Sequence, residues 1–298
     1  MRQFAIVTDS CGDLGKNLRE KYQIDYVPMR FNYDDVDVPA SLDWEFVPVK
    51  DFYNLMRNGK RIKTSQVNAE EYRKNFGDYL ENGMDVLYIS CSSALSASYH
   101  TSLLVRDELL KAHPEAKIIC VDSLNSCLGL GLICIAASKL RAQGKSVDEV
   151  ADYVKENRLK MNQFATVEDL AYLKRAGRVS TASAVFGGLF QVKPIIISDA
   201  RGNNYAIEKV KGRKKSIERI AEMFKETYDE NGDFPTIGIA HADSEADADL
   251  LAAAVIEKLG KKNVEVITSY IGPIVGASTG PGTIAVFPWC VGVCKTFS

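Results

Sequence analysis

The sequence is poor in the residues that usually announce catalysis or metal binding. It has only three histidines in 298 residues, His100, His113 and His241, and no two of them share a helical face or a ligand-spaced cluster. A metal site is therefore not expected. The seven cysteines are odd in number and include no Cys-x-x-Cys pair, and Cys290 and Cys294 have no histidine nearby. Neither a zinc site nor a disulfide framework is expected, and reduced thiols fit best. Charge of one sign does not accumulate: the net charge is -2 and the pI about 6.0, without the basic excess of a DNA-binding domain. The longest apolar run, residues 127–137, is too short to span a bilayer. The chain enters Phe4-Ala5-Ile6-Val7 and Asp9 directly, so no signal peptide is expected and the expected compartment is the cytoplasm.

What is present is an ordinary globular composition, 46% hydrophobic and 26% charged, in a chain long enough to expect two domains. Residues 85–102, DVLYISCSSALSASYHTS, stand out. Val86, Leu87, Tyr88 and Ile89 suit a buried strand. Ser90, Ser92, Ser93, Ser96, Ser98, Thr101 and Ser102 then crowd the segment with hydroxyls. The later spacing of Tyr99, Leu103 and Leu110 predicts a helix starting near residues 93–96. A strand end, a serine loop and a helix start together suit an anion. The plainer alternative is that the serines only cap the helix.

Along the chain, strands are predicted at residues 4–8, 24–29, 86–90 and 117–121, with helices at 49–58 and 69–82 and a polar loop at Lys63-Thr64-Ser65-Gln66. Residues 31–38 alternate poorly and are rich in Asp. This alternation predicts an α/β fold whose N-terminal domain is a mostly parallel sheet flanked by helices. Its strand ends carry the polar turns Asp9-Ser10, 90–96 and Asp122-Ser123, where ligands of such sheets bind. Residues 127–140 are apolar on nearly every face, so that helix is buried either in a core or along a cavity, and Gly129 and Gly131 hint at a close approach. The boundary is placed near residues 155–162, giving domains 1–160 and 161–298. The second half reads as helices at 168–176, 182–190, 214–228 and 245–259. Strands at 192–198, 205–210, 236–240 and 264–268, with a hairpin turn at residues 201–204, predict a mixed C-terminal α/β sheet domain.

Three constellations bear on chemistry. Gly276-Ala277-Ser278-Thr279-Gly280 matches the G-x-S-x-G nucleophile pattern. However, Pro281-Gly282 follows at once and no histidine lies downstream, so a glycine-dense loop is expected instead. An acyl- or phosphoryl-transfer enzyme using Ser278 is the alternative reading of the chain. His241 ends a strand and is placed to line a cleft, whereas His113, before Pro114, is expected at the surface. The basic residues Lys209, Lys211, Arg213, Lys214, Lys215 and Arg219 form either a solvated face or a docking surface for an acidic partner or a phosphorylated ligand.

Taken in order, Ile6-Val7-Thr8-Asp9-Ser10 with Asp13-Leu14, Lys63-Thr64-Ser65-Gln66, Ser92-Ser93-Ala94-Leu95-Ser96, Val121-Asp122-Ser123 with Ser126, the segment 173–180, Lys193-Pro194-Ile195, Ile271-Gly272-Pro273 and Thr279-Gly280-Pro281-Gly282 resemble the DegV family of bacterial proteins. The resemblance covers nearly the whole chain. It implies a two-domain α/β protein without catalytic residues of its own that binds a long-chain fatty acid such as palmitate, with no cofactor or metal. It also implies a role in lipid transport or fatty-acid metabolism, including presentation of the ligand to an acyl kinase that phosphorylates its carboxylate. By that likeness Thr64 and Ser96 hydrogen-bond the carboxylate, Ser65, Ser93 and Ser126 lie close by, and Arg178 stands near the ligand or partner surface. Three positions depart from the family pattern: Ser278 replaces a histidine, and Ala97 and Ala176 replace glycines. Ser278 can still donate a hydrogen bond. Hydroxyls and backbone N–H groups at a helix start can satisfy a carboxylate. Burial of a sixteen-carbon tail is worth about 10 kcal/mol gross before ordering costs. Residues 127–140 and 182–197 are the expected tunnel walls.

Overall fold

The structure is a computed structural model and describes residues 2–179, 192–260 and 264–291. The chain opens with β1 (Phe4–Asp9), α1 (Lys16–Tyr22) and β2 (Ile24–Val27). The hairpin β3 (Arg30–Tyr33) and β4 (Val36–Pro39) follows, then α2 (Val49–Arg57), β5 (Lys63–Ser65) and α3 (Ala69–Glu81). Strand β6 (Asp85–Ser90), α4 (Ser98–Ala112), β7 (Ile118–Asp122), α5 (Cys127–Ala142) and α6 (Val147–Asn157) come next. The second half contains β8 (Phe164–Thr166), α7 (Leu170–Ala176), β9 (Val192–Ser198), β10 (Asn204–Lys211) and α8 (Arg213–Thr227). It ends with β11 (Ile237–His241), α9 (Glu245–Leu259), β12 (Val266–Tyr270), α10 (Pro273–Thr279) and β13 (Ile284–Phe287). The helix expected over 182–190 lies outside the described residues, as do Ser180 and Cys294.

The first sheet has the order β2-β1-β6-β7 and every pairing in it is parallel. Both inner strands, β1 and β6, are buried along their whole length, as a parallel sheet covered on both faces requires. Helix α3 supplies one cover by turning Tyr72, Phe76 and Leu80, four residues apart, into the core. The second sheet has the order β10-β9-β8-β13-β11-β12. Its pairings are antiparallel except for β11 with β12. The expected two-domain α/β architecture, parallel first and mixed second, is what the chain adopts.

A third, three-stranded sheet, β4-β3-β5, is not foreseen in the sequence. The segment expected as a polar loop at residues 63–66 instead forms an antiparallel edge strand, with Phe31 opposite Thr64 and Arg30 opposite Ser65. A three-residue edge strand is held by ladder hydrogen bonds rather than by an apolar face, so it leaves little periodic signal.

Helix α5 lies between the two large sheets. A Cβ on Gly131 would stand 2.4 Å from the Gly12 carbonyl oxygen, and one on Gly129 would meet Phe287 at 2.9 Å. From the other side, Gly238 of β11 makes room for Leu128 and Leu132. The close approach hinted at by the α5 glycines is thus to the protein's own backbone and core.

Candidate functional site

The C-terminal ends of the parallel strands are tied together by the side chains of Thr8, Asp9 and Ser10. Asp9 Oδ2 accepts the Cys91 N–H at 2.8 Å and the Tyr88 hydroxyl at 3.0 Å, while Oδ1 accepts the Cys11 N–H at 2.9 Å. The Thr8 hydroxyl donates to the Ile89 carbonyl at 2.8 Å, and that of Ser10 to Ala40 at 2.8 Å. These residues fix the loops around the site. Asp9, Cys11 and Cys91 place one metal-ligating atom each within 4.8 Å of one another. Here the Asp9 carboxylate is already bonded to three donors. The hydrogen bond with Cys91, together with burial, pushes the Cys11 thiol up. The Cys91 thiol, though its bond with Cys11 pulls it down, is raised on balance by burial and nearby carboxylates.

Most of the serine stretch is likewise committed to structure. The Ser92 hydroxyl donates to the Gly202 carbonyl at 3.0 Å, reaching the β9–β10 turn of the other domain. Ser98 Oγ accepts the Val67 N–H at 3.2 Å, and Ser96 and Ser98 hydroxyls lie 3.0 Å apart. Helix α4 begins at Ser98, later than predicted, because residues 92–96 first close a tight turn with Leu95 and Ser96 N–H groups on the Ser92 carbonyl. The helix N-cap is Ala97, with no side-chain cap bond.

Beside this loop lies a cavity of about 210 Å³. Its polar lining comes from Thr64, Ser65 and Gln66 at the β5 edge, Ser96 of the serine loop, Ser126 at the α5 N-cap, and Ser278 and Thr279 of α10. Its apolar lining is Cys11, Met29, Cys91, Leu95, Ala97, Leu173, Ile274 and Val275. Arg178 and Asn204 complete it. Six of the seven residues singled out in the sequence therefore meet: Thr64, Ser65, Ser96, Ser126, Arg178 and Ser278. Ser93 is outside the lining, and its N–H donates to Asp122 at 3.2 Å. Of helix α5 itself, no residue past its Ser126 cap lines this cavity, so the expected tunnel wall at 127–140 is core.

A family model described as "Uncharacterised protein, DegV family" matches residues 3–289. A DegV domain-containing protein of Clostridium perfringens is 39% identical over 287 residues, covering 96% of this chain and 97% of the relative. The chain belongs to the DegV family. Among solved structures, a Thermus thermophilus DegV family protein described by its fatty acid binding superposes with a TM-score of 0.85 at 26% identity. That match covers 98% of this chain and 100% of the other. A fatty-acid-binding DegV from Bacillus subtilis gives 0.79 at 28%, covering 97% and 99%.

Ser278 sits on α10 rather than in the glycine-dense loop expected there. Pro273 is tolerated at the first position of this helix, where its missing N–H costs nothing, and Gly280 ends it. Among the described residues, the hydrogen bond Ser278 makes is a long one, 3.5 Å, to the Ile274 carbonyl one turn back. His241 is elsewhere: it is buried, its Nδ1 accepts the Ser244 N–H at 3.3 Å, and its ring packs 4.4 Å from Tyr270. Burial pulls its pKa down, and it does not line the cavity as expected. His113 caps the C-terminus of α4, half-buried rather than fully at the surface.

Two further residues escape a reading of the sequence. Thr279 Oγ1 is buried without a hydrogen-bond partner, a costly arrangement unless something else supplies one. Asn204 donates to the Arg178 carbonyl at 3.1 Å and accepts from Gln163 at 2.7 Å. Thr279 was visible only as part of its Gly-Pro motif, and Asn204 only as a hairpin residue. Of the basic residues at 201–219, Arg213 pairs with Asp247 and Arg219 with Glu208, each at 2.9 Å, so part of that stretch is neutralised within the fold. Among the described residues no helix is long and apolar enough to cross a membrane.

Proposed function

We propose that this protein binds a long-chain fatty acid such as palmitate. Its carboxylate would be held by hydroxyls of Thr64, Ser65, Ser96, Ser126 and Ser278 near Arg178, and its acyl chain would lie against the apolar lining residues. The observation that carries this reading is the cavity's mixed lining, in which hydroxyls from four separate segments meet thiol, thioether and aliphatic groups. Such a lining suits a ligand with one charged end and an apolar body. The fatty acids of the Thermus and Bacillus relatives support it. Residues 1–160 would supply most of the carboxylate loops and 161–298 would close the pocket. The tail would supply most of the affinity, at roughly 0.8 kcal/mol per buried CH₂, and the hydroxyls its orientation.

Ser278 has no base within hydrogen-bonding geometry among the described residues, which favours binding over acyl or phosphoryl transfer. The chain would then serve lipid transport or present its ligand to a separate acyl kinase in the cytoplasm, needing no cofactor. Native mass spectrometry of protein purified from a bacterial host tests the reading. A co-purifying mass matching a fatty acid of about sixteen to eighteen carbons is expected, by the tail's share of the binding energy. Protein that repeatedly carries no acyl chain, and that fails to take up palmitate on addition, removes it.

A further inference from the structure

Two thiols lie side by side in the lining of the cavity, and the fatty-acid reading leaves their reactivity unused. Strands β1 and β6 run in parallel, with Phe4 opposite Asp85 and Val7 opposite Tyr88. Cys11 follows the end of the first strand and Cys91 the end of the second. One carboxylate fixes both turns: Asp9 Oδ1 accepts the Cys11 N–H at 2.9 Å, and Oδ2 the Cys91 N–H at 2.8 Å. The thiols hydrogen-bond to each other, and their sulfurs lie within 4.8 Å. The Met29 thioether sulfur is 3.7 Å from that of Cys11. Burial ordinarily leaves a cysteine inert, and both residues are buried. They nonetheless face the cavity, whereas Cys120, Cys127, Cys134 and Cys290 do not line it. A small oxidant therefore meets this pair in the same space that a fatty acid would fill.

We propose that Cys11 and Cys91 are a reversible oxidation site, joined as a disulfide by a hydroperoxide when the cavity is empty and protected when a fatty acid fills it. The protection rests on the fatty-acid reading; the disulfide does not. The Cys11 thiol can donate to an ionised Cys91, which makes Cys91 the nucleophile. With hydrogen peroxide, the Cys91 sulfur attacks one oxygen and the O–O bond breaks. The departing oxygen takes up the proton that Cys91 gave up and leaves as water, so Cys91 becomes a sulfenic acid. The Cys11 sulfur then displaces the sulfenic hydroxyl, which leaves as a second water with the Cys11 proton, and the S–S bond forms. The two sulfurs lose two electrons in total and the peroxide gains them. A disulfide holds its sulfurs about 2.05 Å apart. Closure thus draws Cys91, at the start of the serine loop that carries Ser96, toward the turn after β1.

Intact mass and peptide mapping test this on the whole protein, delipidated or loaded with palmitate, in dilute hydrogen peroxide. The empty protein should lose two hydrogen atoms, mapped to a bond between the Cys11 and Cys91 peptides, and dithiothreitol should restore both thiols. Oxidation should follow the vacant fraction, so palmitate at about ten times its dissociation constant should slow it about tenfold. Cys91→Ser should abolish the bond. Empty protein that keeps both thiols, or that joins other cysteines instead, overturns the disulfide and leaves fatty-acid binding untouched. A rate unchanged by palmitate, in protein whose occupancy native mass spectrometry verifies, overturns the protection. Protein that forms the bond but never takes up palmitate removes the fatty-acid reading and keeps the oxidation site.

Discussion

The Asn204 side chain holds the Arg178 carbonyl at 3.1 Å and is itself held by Gln163 at 2.7 Å. Strand β10 of the mixed sheet is thereby tied to the arginine that stands at the mouth of the cavity, whose guanidinium in turn donates to the Leu95 carbonyl at 3.3 Å. Replacing Asn204 by Ala removes a partner from the Arg178 carbonyl, the Gln163 amide and the Ser198 hydroxyl, at about 1–3 kcal/mol. Fatty-acid affinity of Asn204→Ala should fall several-fold, as should that of Gln163→Ala. Unchanged titration curves for both would show that Arg178 is not positioned through this pair.

Thr64 and Ser96 approach the cavity from different segments, one a strand edge and the other the turn before α4. A hydrogen bond to a charged group is worth about 1.5–3 kcal/mol, so losing two weakens binding about a hundredfold or more. The double variant Thr64→Ala, Ser96→Ala should show this loss with palmitate, and a far smaller one with its methyl ester. Equal losses for acid and ester would mean that the hydroxyls do not meet the carboxylate.

The orphan hydroxyl of Thr279 separates stability from binding. Valine has nearly the same shape and removes a buried donor that lacks a partner, so Thr279→Val without ligand should be more stable by about 1 kcal/mol. If the carboxylate is what satisfies that hydroxyl, the same variant binds palmitate more weakly. Melting temperatures and titrations on one preparation decide whether both effects occur together.

Two helical glycines should respond to alanine in opposite directions. Gly77, in α3, has nothing within 4 Å of the position a Cβ would take, and alanine there should add up to about 1 kcal/mol of helix stability. On α5, Gly131 faces the backbone oxygen of Gly12 at 2.4 Å, so the same change must displace main chain, at about 1–3 kcal/mol or more. Urea unfolding midpoints should rise for Gly77→Ala and drop for Gly131→Ala.

The same pair of positions shows why the sequence was legible in some places and silent in others. Strong runs such as Val86-Leu87-Tyr88-Ile89 and the four-residue spacing of Tyr72, Phe76 and Leu80 carry their own period, and so the α/β alternation and both large sheets could be read. The α5 glycines signalled proximity, but proximity has no direction in one dimension, and the neighbour proved to be residues 12–14 and the second sheet. Strand β5 depends on a partner thirty residues away, and α10 was hidden by flanking Gly and Pro that in fact delimit it. The hydroxyl side chains of the cavity were legible as chemistry. Asn204 was not, because its role is set by the tertiary meeting of β10 with Arg178.

Asp13 governs the last expectation, which concerns pH. It ends the short turn after β1 in a left-handed conformation, φ 49°, and is 2% exposed. Its carboxyl has no partner in good hydrogen-bond geometry, although the Cys127 thiol and the Gly272 N–H face it and hold its pKa down in part. Burial is the main cause that pushes it up to about 8 from an ordinary 3.8. In the folded chain it therefore keeps its proton through neutral pH, whereas in the unfolded chain it loses that proton near pH 4. Between those values the folded state binds more protons than the unfolded, so this group makes stability fall as pH rises from about 4 to about 8 and contributes no further slope above that. Asn tolerates the left-handed conformation equally well and cannot ionise. Asp13→Asn should thus be more stable than the parent at pH 8, with a smaller difference at pH 5, measured as denaturant midpoints at both. A parent that gains as much stability as the variant between pH 5 and pH 8 would show that Asp13 is ionised in the folded protein, its donors outweighing burial.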